Sequence, residues 1–199
     1  MASRSVVPLP PTVDREVGAR VRALRRARGL SLETLAAQAG LSVGFLSQAE
    51  RGLSSPSLKV LAGLADAFGV PLGALFADDA PADGRGAGVV VPAAERPVLQ
   101  LWRAGITKQL LTPGAAGSGL NVFLVLLAPG ADTGGEAYAH RGEEAGLVLE
   151  GALRLTVEGE SWVLAAGDSF RFASERPHRF ANAAEGETRV VWVNALTAA

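Results

Sequence analysis

The spacing of apolar residues changes along the chain, from a helical period in the first third to an alternating period in the second half. In the first third, Val17, Val21 and Leu24 recur every three or four positions, and Leu61 and Leu64 continue the pattern later. Such spacing places apolar side chains on one face of a helix. The predicted helices are Val13 to Arg28, two short helices between Ser31 and Glu50, Leu58 to Phe68, and a fifth from Pro71 to about Phe76.

The stretch from Ser31 to Pro56 has the pattern of two short helices joined by a tight turn. Ser31 is a good N-cap for the first helix, and Gly40 can adopt the positive φ that the turn requires. Ser42 can cap the second helix, Val43 to Glu50. An ordinary helical hairpin and a DNA-reading helix-turn-helix both have this spacing, so the pattern alone leaves the two open.

The outer face of the second helix carries short polar side chains, which suit a helix that enters the major groove of DNA. Gln48 is the best candidate for a bidentate contact with adenine. Residues after the helix are better placed for the phosphate backbone. The predicted base-facing residues are Ser42, Val43, Gly44, Ser47 and Gln48, and the predicted backbone contacts are Arg51, Ser54, Ser55 and Lys59.

The same stretch resembles the lambda-repressor/Cro-like family, also called the xenobiotic-response-element family. The resemblance covers roughly residues 15 to 76 and implies a five-helix DNA-binding domain of a transcriptional regulator. It also implies a homodimer on a palindromic operator, because one such domain contacts few base pairs. The residues that carry it are Leu41-Ser42, Leu46-Ser47, Glu50-Arg51-Gly52, Pro56-Ser57-Leu58, Leu61, Leu64-Ala65, Ala67 and Val70.

After residue 76 the pattern becomes that of a linker and then of β-strands. Residues 77 to 96 are rich in Ala, Gly, Pro and Asp, with a candidate first strand at Val89 to Val91. Leu120 to Leu127 is almost wholly apolar, which predicts a strand covered on both faces. The other predicted strands are Val98 to Trp102, Thr107 to Leu111, Gly146 to Leu149, Ala152 to Val157, Ser161 to Leu164, Ser169 to Phe172, His178 to Ala181 and Thr188 to Asn194. Many short strands with regular turns predict a sandwich or a barrel.

Composition and charge divide the chain in the same way. Residues 1 to 76 hold nine basic and five acidic side chains, whereas the remainder holds ten and fifteen, so only the first part is expected to meet phosphate. The chain has no Cys, which excludes disulfides and thiolate chemistry and fits the reducing cytoplasm that we expect for this protein. It has no run of 18 apolar residues, so we expect no membrane partner. The predicted units are an arm (1–11), a DNA-binding domain (12–76), a linker (77–96) and an all-β domain (97–199).

Three side chains of the second half have the chemistry of metal ligands. His140 and Glu144 are four residues apart, and His178 follows a predicted strand. Two imidazoles and a carboxylate suit a divalent transition metal with open coordination positions. Two ordinary histidines and a surface glutamate explain the same residues, and chemistry alone leaves both readings open.

These residues lie in two segments that look like the motifs of a cupin barrel, a double-stranded β-helix or jelly roll. In the first motif, G(x)5HxH(x)3-4E(x)6G, His140, Glu144 and Gly151 match, Gly135 is a glycine near the motif's start, and Tyr138 stands where the first His belongs. In the second motif, G(x)5PxG(x)2H(x)3N, the P-x-G step is absent. Its matching residues are Gly167, His178 and Asn182. The resemblance implies that His140, Glu144 and His178 occupy three of the four metal positions of the family.

A barrel of this kind encloses a pocket for one small ligand. Together the two resemblances predict a transcriptional regulator whose barrel senses a small-molecule effector. A metal-dependent cupin enzyme, such as a dioxygenase or isomerase, tethered to a DNA-binding domain is the alternative, and a barrel that only dimerises is a third. Trp102 and Trp162 are expected to be structural. The predicted pocket residues are Tyr138, His140, Glu144, His178, Phe123, Phe170 and Trp192.

Overall fold

The computed structural model describes residues 12–75, 89–101, 104–112 and 119–196, and these residues form a helical domain followed by a β-domain. The predicted arm, Phe76, most of the predicted linker and Trp102 lie outside the described residues. No helix of the described ranges combines the length and the apolar composition that crossing a membrane requires.

Four α-helices form the described part of the helical domain. They are α1 (Thr12–Ala27), α2 (Leu32–Gln38), α3 (Val43–Glu50) and α4 (Leu58–Phe68). The last three each begin at a serine whose hydroxyl accepts a backbone N–H of the first turn, from Thr34, Phe45 and Val60 respectively. Gly40 has a φ of 64°, as the turn between α2 and α3 requires. Local capping therefore sets where these helices begin, as the sequence predicts.

The predicted fifth helix is wrong, because Leu72–Leu75 forms a single 3-10 turn. Pro71 contributes no N–H to a helical ladder, which disfavours a longer helix at this point. Gly73 is buried against the β-domain, where an added Cβ would lie 2.5 Å from the Asn121 side-chain oxygen. Docking on the barrel thus takes the place of a further turn of α-helix.

Nine strands of the described residues form two facing sheets. They are β1 (Val98–Leu101), β2 (Ile106–Leu110), β3 (Leu120–Leu127), β4 (Glu143–Glu150), β5 (Ala152–Val157), β6 (Glu160–Ala165), β7 (Ser169–Ala173), β8 (His178–Asn182) and β9 (Thr188–Ala195). One sheet has the order β1-β2-β3-β9-β4-β7 and the other β6-β5-β8, with antiparallel pairing throughout. The arrangement is a two-sheet jelly roll with its core between the sheets, as predicted.

Three strand predictions need correction. Strand β4 begins at Glu143 and not at Gly146, because its first residues pair with both β7 and β9. Val89 to Val91 forms no strand, and Val89 is 79% exposed. Strand β3 alternates between buried residues and residues that are half-buried or exposed, so it is covered fully on one face only. The apolar outward residues of β3 misled the prediction, because a half-exposed strand can keep them at little cost.

Candidate functional site

Helix α3 presents its polar side to solvent and its apolar side to the helical core. Leu46 and Ala49 are buried, whereas Gln48 is exposed. Four of the five predicted base-facing residues are exposed, and Ser47 is half-buried. The exposed set consists of Ser42, Val43, Gly44 and Gln48. The helix therefore offers a free edge of the kind that enters a DNA groove.

A buried ion pair fixes α3 against α1. Arg25 Nε donates to Glu50 Oε1 at 2.6 Å, and Arg25 Nη2 donates to Glu50 Oε2 at 2.9 Å. A third donor, Nη1, reaches the Leu30 carbonyl at 2.9 Å. The hydrogen bond with Glu50 outweighs the effect of burial and raises the pKa of Arg25. The sequence alone did not predict this structural role of Arg25.

The predicted backbone contacts do not all lie on the same side of the domain. Arg51 is exposed beside α3 and donates to the Ser47 carbonyl at 3.1 Å. Ser54 is half-buried. Ser55 donates to Asp14, and Lys59 Nζ lies 2.6 Å from Glu136 Oε2 of the β-domain. Ser55 and Lys59 are therefore engaged near the junction of the two domains.

In the β-domain, the buried carboxylate of Glu144 is the centre of a polar cluster. Trp192 Nε1 donates to its Oε2 at 3.1 Å, and Asn194 Nδ2 donates to its Oε1 at 2.5 Å. His140 Nε2 lies 2.9 Å from Oε1, and His178 Nε2 lies 3.6 Å from Oε2. Each of the two histidines and Glu144 offers one atom that could bind a metal, and these three atoms all lie within 4.8 Å of one another. The three predicted ligands therefore converge on one point.

Hydrogen bonds to backbone carbonyls decide the protonation of the two imidazoles. His178 Nδ1 must donate to the Arg176 carbonyl at 2.9 Å, which leaves the lone pair of a neutral ring on Nε2. That Nε2 is buried and has no hydrogen-bond partner among the described residues. His140 Nδ1 must likewise donate to the Arg141 carbonyl at 3.1 Å. Its Nε2 faces the Glu144 carboxylate, so the ring is best satisfied as an imidazolium.

The pKa shifts agree with this assignment. Burial lowers the pKa of His178, and the charge of Glu144 only partly opposes it. Burial also acts to lower the pKa of His140, but the hydrogen bond and charge of Glu144 outweigh it and raise that pKa. Burial acts to raise the pKa of Glu144, yet the hydrogen bond from His140 and the positive charges nearby leave it lowered. The cluster thus holds a carboxylate, a neutral imidazole and a displaceable proton.

Tyr138, at the position of the missing family histidine, is buried next to His178, with their ring centroids 4.3 Å apart. Burial and the neighbouring Glu144 hold the pKa of the Tyr138 phenol well above its usual range. Phe123 and Trp192 are buried in the core between the sheets, and Phe170 packs on Trp192 with centroids 4.7 Å apart. These three aromatic residues form the packed surroundings of the cluster.

Several residues of this region were not predicted from the sequence. Lys108 is 3% exposed and lines the cavity beside the cluster. Its position between Ile106 and Leu110, on the inward face of a strand, is the signal that would have found it. Asn194 and Phe172 were also missed, and Phe172 packs on His178 with centroids 4.9 Å apart.

Helix α4 of the helical domain covers the open end of the β-domain where the cluster lies. The cavity between them has a volume of about 30 Å³ and is lined by α4 residues together with Tyr138, His140 and Glu144. The backbone N–H of Arg141, next to His140, donates to both carboxylate oxygens of Asp66 on α4 at 3.2 Å. The α4 residues that line the cavity are Leu58, Ala62, Ala65 and Asp66. The candidate site is thus enclosed by both domains.

Comparisons with known proteins find similarity along both domains. Residues 21–75 match the helix-turn-helix family, and residues 123–194 match the cupin domain family. The HTH-type transcriptional regulator PuuR of Escherichia coli (strain K12) is 30% identical over 174 residues, which is 87% of this chain and 91% of PuuR. SutR, another HTH-type transcriptional regulator of that strain, is 28% identical over 165 residues, covering 83% and 86%. A crystal structure of an HTH_3 family transcriptional regulator from Vibrio cholerae superposes with a TM-score of 0.76 at 26% identity, covering 94% of this chain and 99% of that one.

Proposed function

Because this chain belongs to the family of HTH-type transcriptional regulators with a C-terminal cupin domain, we propose that a small molecule in its barrel modulates sequence-specific DNA binding by α3. Both resemblances predicted from the sequence are confirmed. Regulators of this kind act on the chromosome, so the bacterial cytoplasm is the compartment we propose. The operator contacts, the effector, the metal and the dimer are parts of the proposal.

For DNA binding, α3 lies in the major groove, with Gln48 on a base edge and Arg51 on the backbone. The exposed edge of α3 and its fixed orientation against α1 support this placement. DNase I footprinting of the full chain across the promoter of its own gene, at modest ionic strength, tests it. We expect a protected palindrome, and the absence of any protected site would contradict the proposal.

The observation that carries effector sensing is the position of α4, which is both part of the DNA-binding domain and the roof of the barrel cavity. A cavity of about 30 Å³ is far smaller than the ~300–1,000 Å³ of ordinary small-molecule sites. A metabolite therefore fits only when α4 shifts relative to the barrel. A ligand shifts an equilibrium by its differential affinity for the two arrangements, so occupancy changes DNA affinity when operator DNA also binds the two arrangements differently.

The domain junction leaves room for such a shift. A second, solvent-open pocket of about 300 Å³ adjoins Leu58, between α1 on one side and β1 and β2 on the other. Fluorescence anisotropy of operator DNA, titrated with the full chain in the presence and absence of each member of a metabolite panel, measures the response. Identical DNA affinities across a broad panel would contradict effector sensing.

A divalent transition metal fits the cluster of His140, Glu144 and His178. The lone pair of His178 Nε2 has no partner among the described residues and faces the Glu144 carboxylate. A cation bound to both groups would remove the repulsion between the lone pair and the negative charge. Carbonyl hydrogen bonds already orient both imidazoles, as the outer-shell partners of metal-binding histidines do. The metal would displace the proton that His140 shares with Glu144. When bound, it would supply Lewis-acid coordination for an oxygen atom of the effector.

Equilibrium dialysis of the purified chain against Mn²⁺, followed by elemental analysis, tests the metal site. We expect stoichiometric metal in the unmodified chain and loss of it in His178→Ala. Glu143→Gln is the matched control, since Glu143 is the neighbouring carboxylate but is paired with exposed Arg171. An equal metal content in all three proteins would show that the cluster is not the metal-binding site.

For dimerisation we propose the barrel as the contact surface. Apolar side chains are exposed on two of its strands, at Leu147 and Leu149 of β4 and at Trp162 and Val163 of β6. Trp162, which the sequence analysis expects to be structural, is 43% exposed. Two-fold pairing would match a palindromic operator. Sedimentation equilibrium, at the protein concentrations that bind operator DNA, measures the oligomeric state with and without the operator. A monomer bound to the operator would contradict the proposed dimer.

The same three metal ligands support a second function, that of a metal-dependent cupin enzyme. Two histidines and one carboxylate leave open positions on a metal, as oxygenase sites do. Incubation of the metal-loaded chain with an effector found by the DNA-binding assay, followed by mass spectrometry, distinguishes the two. Stoichiometric conversion or turnover would support the enzyme, and recovery of the unchanged effector would support the sensor.

A further inference from the structure

A buried ammonium group forms part of the barrel cavity. Lys108 lies on the inward face of β2, opposite Val125 of β3, and its side chain lines the cavity next to Tyr138 and Glu144. The ammonium is held over three aromatic rings, with Nζ at 5.5 Å from the centroid of Phe123, 5.7 Å from Phe180 and 5.8 Å from Trp192. The rings attract the positive charge, but they do not give its three N–H groups an ordinary hydrogen-bond acceptor.

Lys108 has no anionic partner within the protein as far as the structure describes it. No described side chain forms an ion pair with Nζ or accepts a hydrogen bond from it. The charge of Glu144 acts on Lys108, but the Glu144 oxygens already accept from His140, Trp192 and Asn194. Burial lowers the pKa of Lys108 to about 8, so the group is still mainly protonated at neutral pH. A buried cation without a partner is costly and is rarely kept without a ligand to bind.

A second polar atom at this end of the barrel also lacks a partner. Asn194 lines the cavity, and its Nδ2 donates to Glu144, so its Oδ1 is free to accept. The carboxylate can only accept hydrogen bonds, which fixes this orientation of the amide. Among the described residues, Oδ1 is buried and without a hydrogen-bond partner. The cavity therefore offers an unmatched cation and an unmatched acceptor.

We propose that the barrel binds a small carboxylate that also carries a hydrogen-bond donor, a hydroxy- or amino-carboxylic acid, and that Lys108 is the residue that pairs with its carboxylate. One lysine balances one negative charge, which favours a monocarboxylate group over a phosphate dianion. The hydroxyl or amine of the ligand donates to Asn194 Oδ1. This inference rests on the proposed sensing function and names the ligand class of that site.

The test is isothermal titration of the full chain, stripped of metal with EDTA, against a panel of C2 to C6 hydroxy- and amino-carboxylates. The amide of each acid is the matched neutral probe, and inorganic phosphate is the anion control. We expect at least one acid to bind, its amide to bind at least tenfold more weakly, and phosphate not to compete. Binding of no acid in the panel, or equal binding of acid and amide, would overturn the proposal.

Two variants locate the binding group. We expect Lys108→Met to weaken binding of the acid at least tenfold, whereas Arg154→Met removes an exposed cation of β5 outside the cavity and should leave affinity unchanged. Circular dichroism shows whether each variant is folded, and Lys108→Gln serves as the second variant if Lys108→Met is not. Acid binding that survives in both Lys108 variants would place the anion elsewhere and overturn the assignment.

A titration of the Mn²⁺-loaded protein distinguishes carboxylate binding by Lys108 from carboxylate binding by the metal. If the acid binds only after Mn²⁺ is restored, and equally in Lys108→Met, the metal and not Lys108 holds the carboxylate, and the inference fails. The anisotropy assay with operator DNA is the separate measure of the proposed function. An acid that binds through Lys108 without altering DNA affinity would support the ligand class while contradicting sensing.

Discussion

At the scale of single residues, the charged groups that the two proposed sites depend on are either closely paired or lie where a ligand is expected. Arg25 and Glu50 satisfy each other, and Glu144 has two side-chain donors besides His140. Around Glu144, Lys108 has no ion-pair partner among the described residues, and His178 Nε2 and Asn194 Oδ1 have no hydrogen-bond partner among them. This is where stability is expected to be given up for binding.

Replacement of Lys108 by Met is expected to stabilise the ligand-free protein. The pKa of Lys108 is depressed from 10.5 to about 8 by burial, which corresponds to roughly 3 kcal/mol of unfavourable charging in the folded state. The cost is complete below pH 8, falls as pH rises toward 10.5 because only the unfolded state then stays protonated, and vanishes above it. Urea unfolding at pH 7 should show a gain of about 1–3 kcal/mol that shrinks at pH 9.5.

Lys59→Met is the reference for that measurement, because it removes a lysine whose side chain is 53% exposed. Exposed ion pairs contribute ~0–1 kcal/mol, so this control should barely change stability at either pH. A Lys108→Met variant that is less stable than the parent at pH 7 would mean that the ammonium has a partner in the folded protein.

Replacement of Gln48 by Ala should weaken operator binding by about 1–3 kcal/mol and leave binding to unrelated DNA nearly unchanged. The reason is that an exposed amide on the outer edge of α3 can read an adenine, whereas non-specific affinity comes from phosphate contacts. Anisotropy titrations at one salt concentration measure both affinities. Equal losses on the two DNAs would show that Gln48 does not read bases.

At the scale of elements, the sequence predicts what is set locally. The bounds of α3, α4, β3 and β5 were predicted as observed, because serine caps, glycine turns and alternating residues lie within each segment or beside it. The 3-10 turn at Leu72–Leu75 was not predicted, because it packs on Asn121, which is far away in the sequence.

The same distinction applies to the site. His140, Glu144 and His178 were found because motif spacing is a local signal, and the structure brings them together. Lys108 was missed because Ile106–Leu110 is short, and a lysine in such a strand is ordinarily taken as an outward residue. The contact of Asp66 with Arg141 joins positions in separate domains, and no periodic pattern reports it.

The pairing of α1 with α3 depends on the Arg25–Glu50 ion pair, whose side chains are only 11% and 5% exposed. Arg25→Ala would leave the Glu50 carboxylate buried without its partner, which is expected to cost about 3 kcal/mol. The loss should appear as a lower thermal midpoint and weaker operator binding, because α3 loses its fixed orientation. Arg26→Ala, on the exposed face of α1, is the control. Equal midpoints for the two variants would contradict a structural role.

At the scale of the whole molecule, the proposed effector site lies against α4, which belongs to the same helical domain as α3, the proposed DNA-reading helix. One contact there joins the Arg141 backbone N–H beside His140 to Asp66 on α4. A helical domain of this size is marginally stable on its own, so contact with the barrel is expected to raise its stability. Loss of this contact should therefore affect the helical domain before it affects the barrel.

Asp66→Ala tests that expectation against Lys59→Ala, because both changes remove a contact between α4 and the barrel. Asp66 accepts a backbone N–H with a charged carboxylate, which is worth about 1.5–3 kcal/mol, whereas the exposed pair of Lys59 and Glu136 is worth about 0–1 kcal/mol. We expect hydrogen exchange of α4 amides to accelerate markedly in Asp66→Ala and only slightly in Lys59→Ala, while exchange in β3 and β9 stays unchanged in both. Acceleration throughout the barrel would mean that the two domains unfold as one unit, and unchanged α4 exchange in Asp66→Ala would mean that the roof is held by its apolar contacts alone.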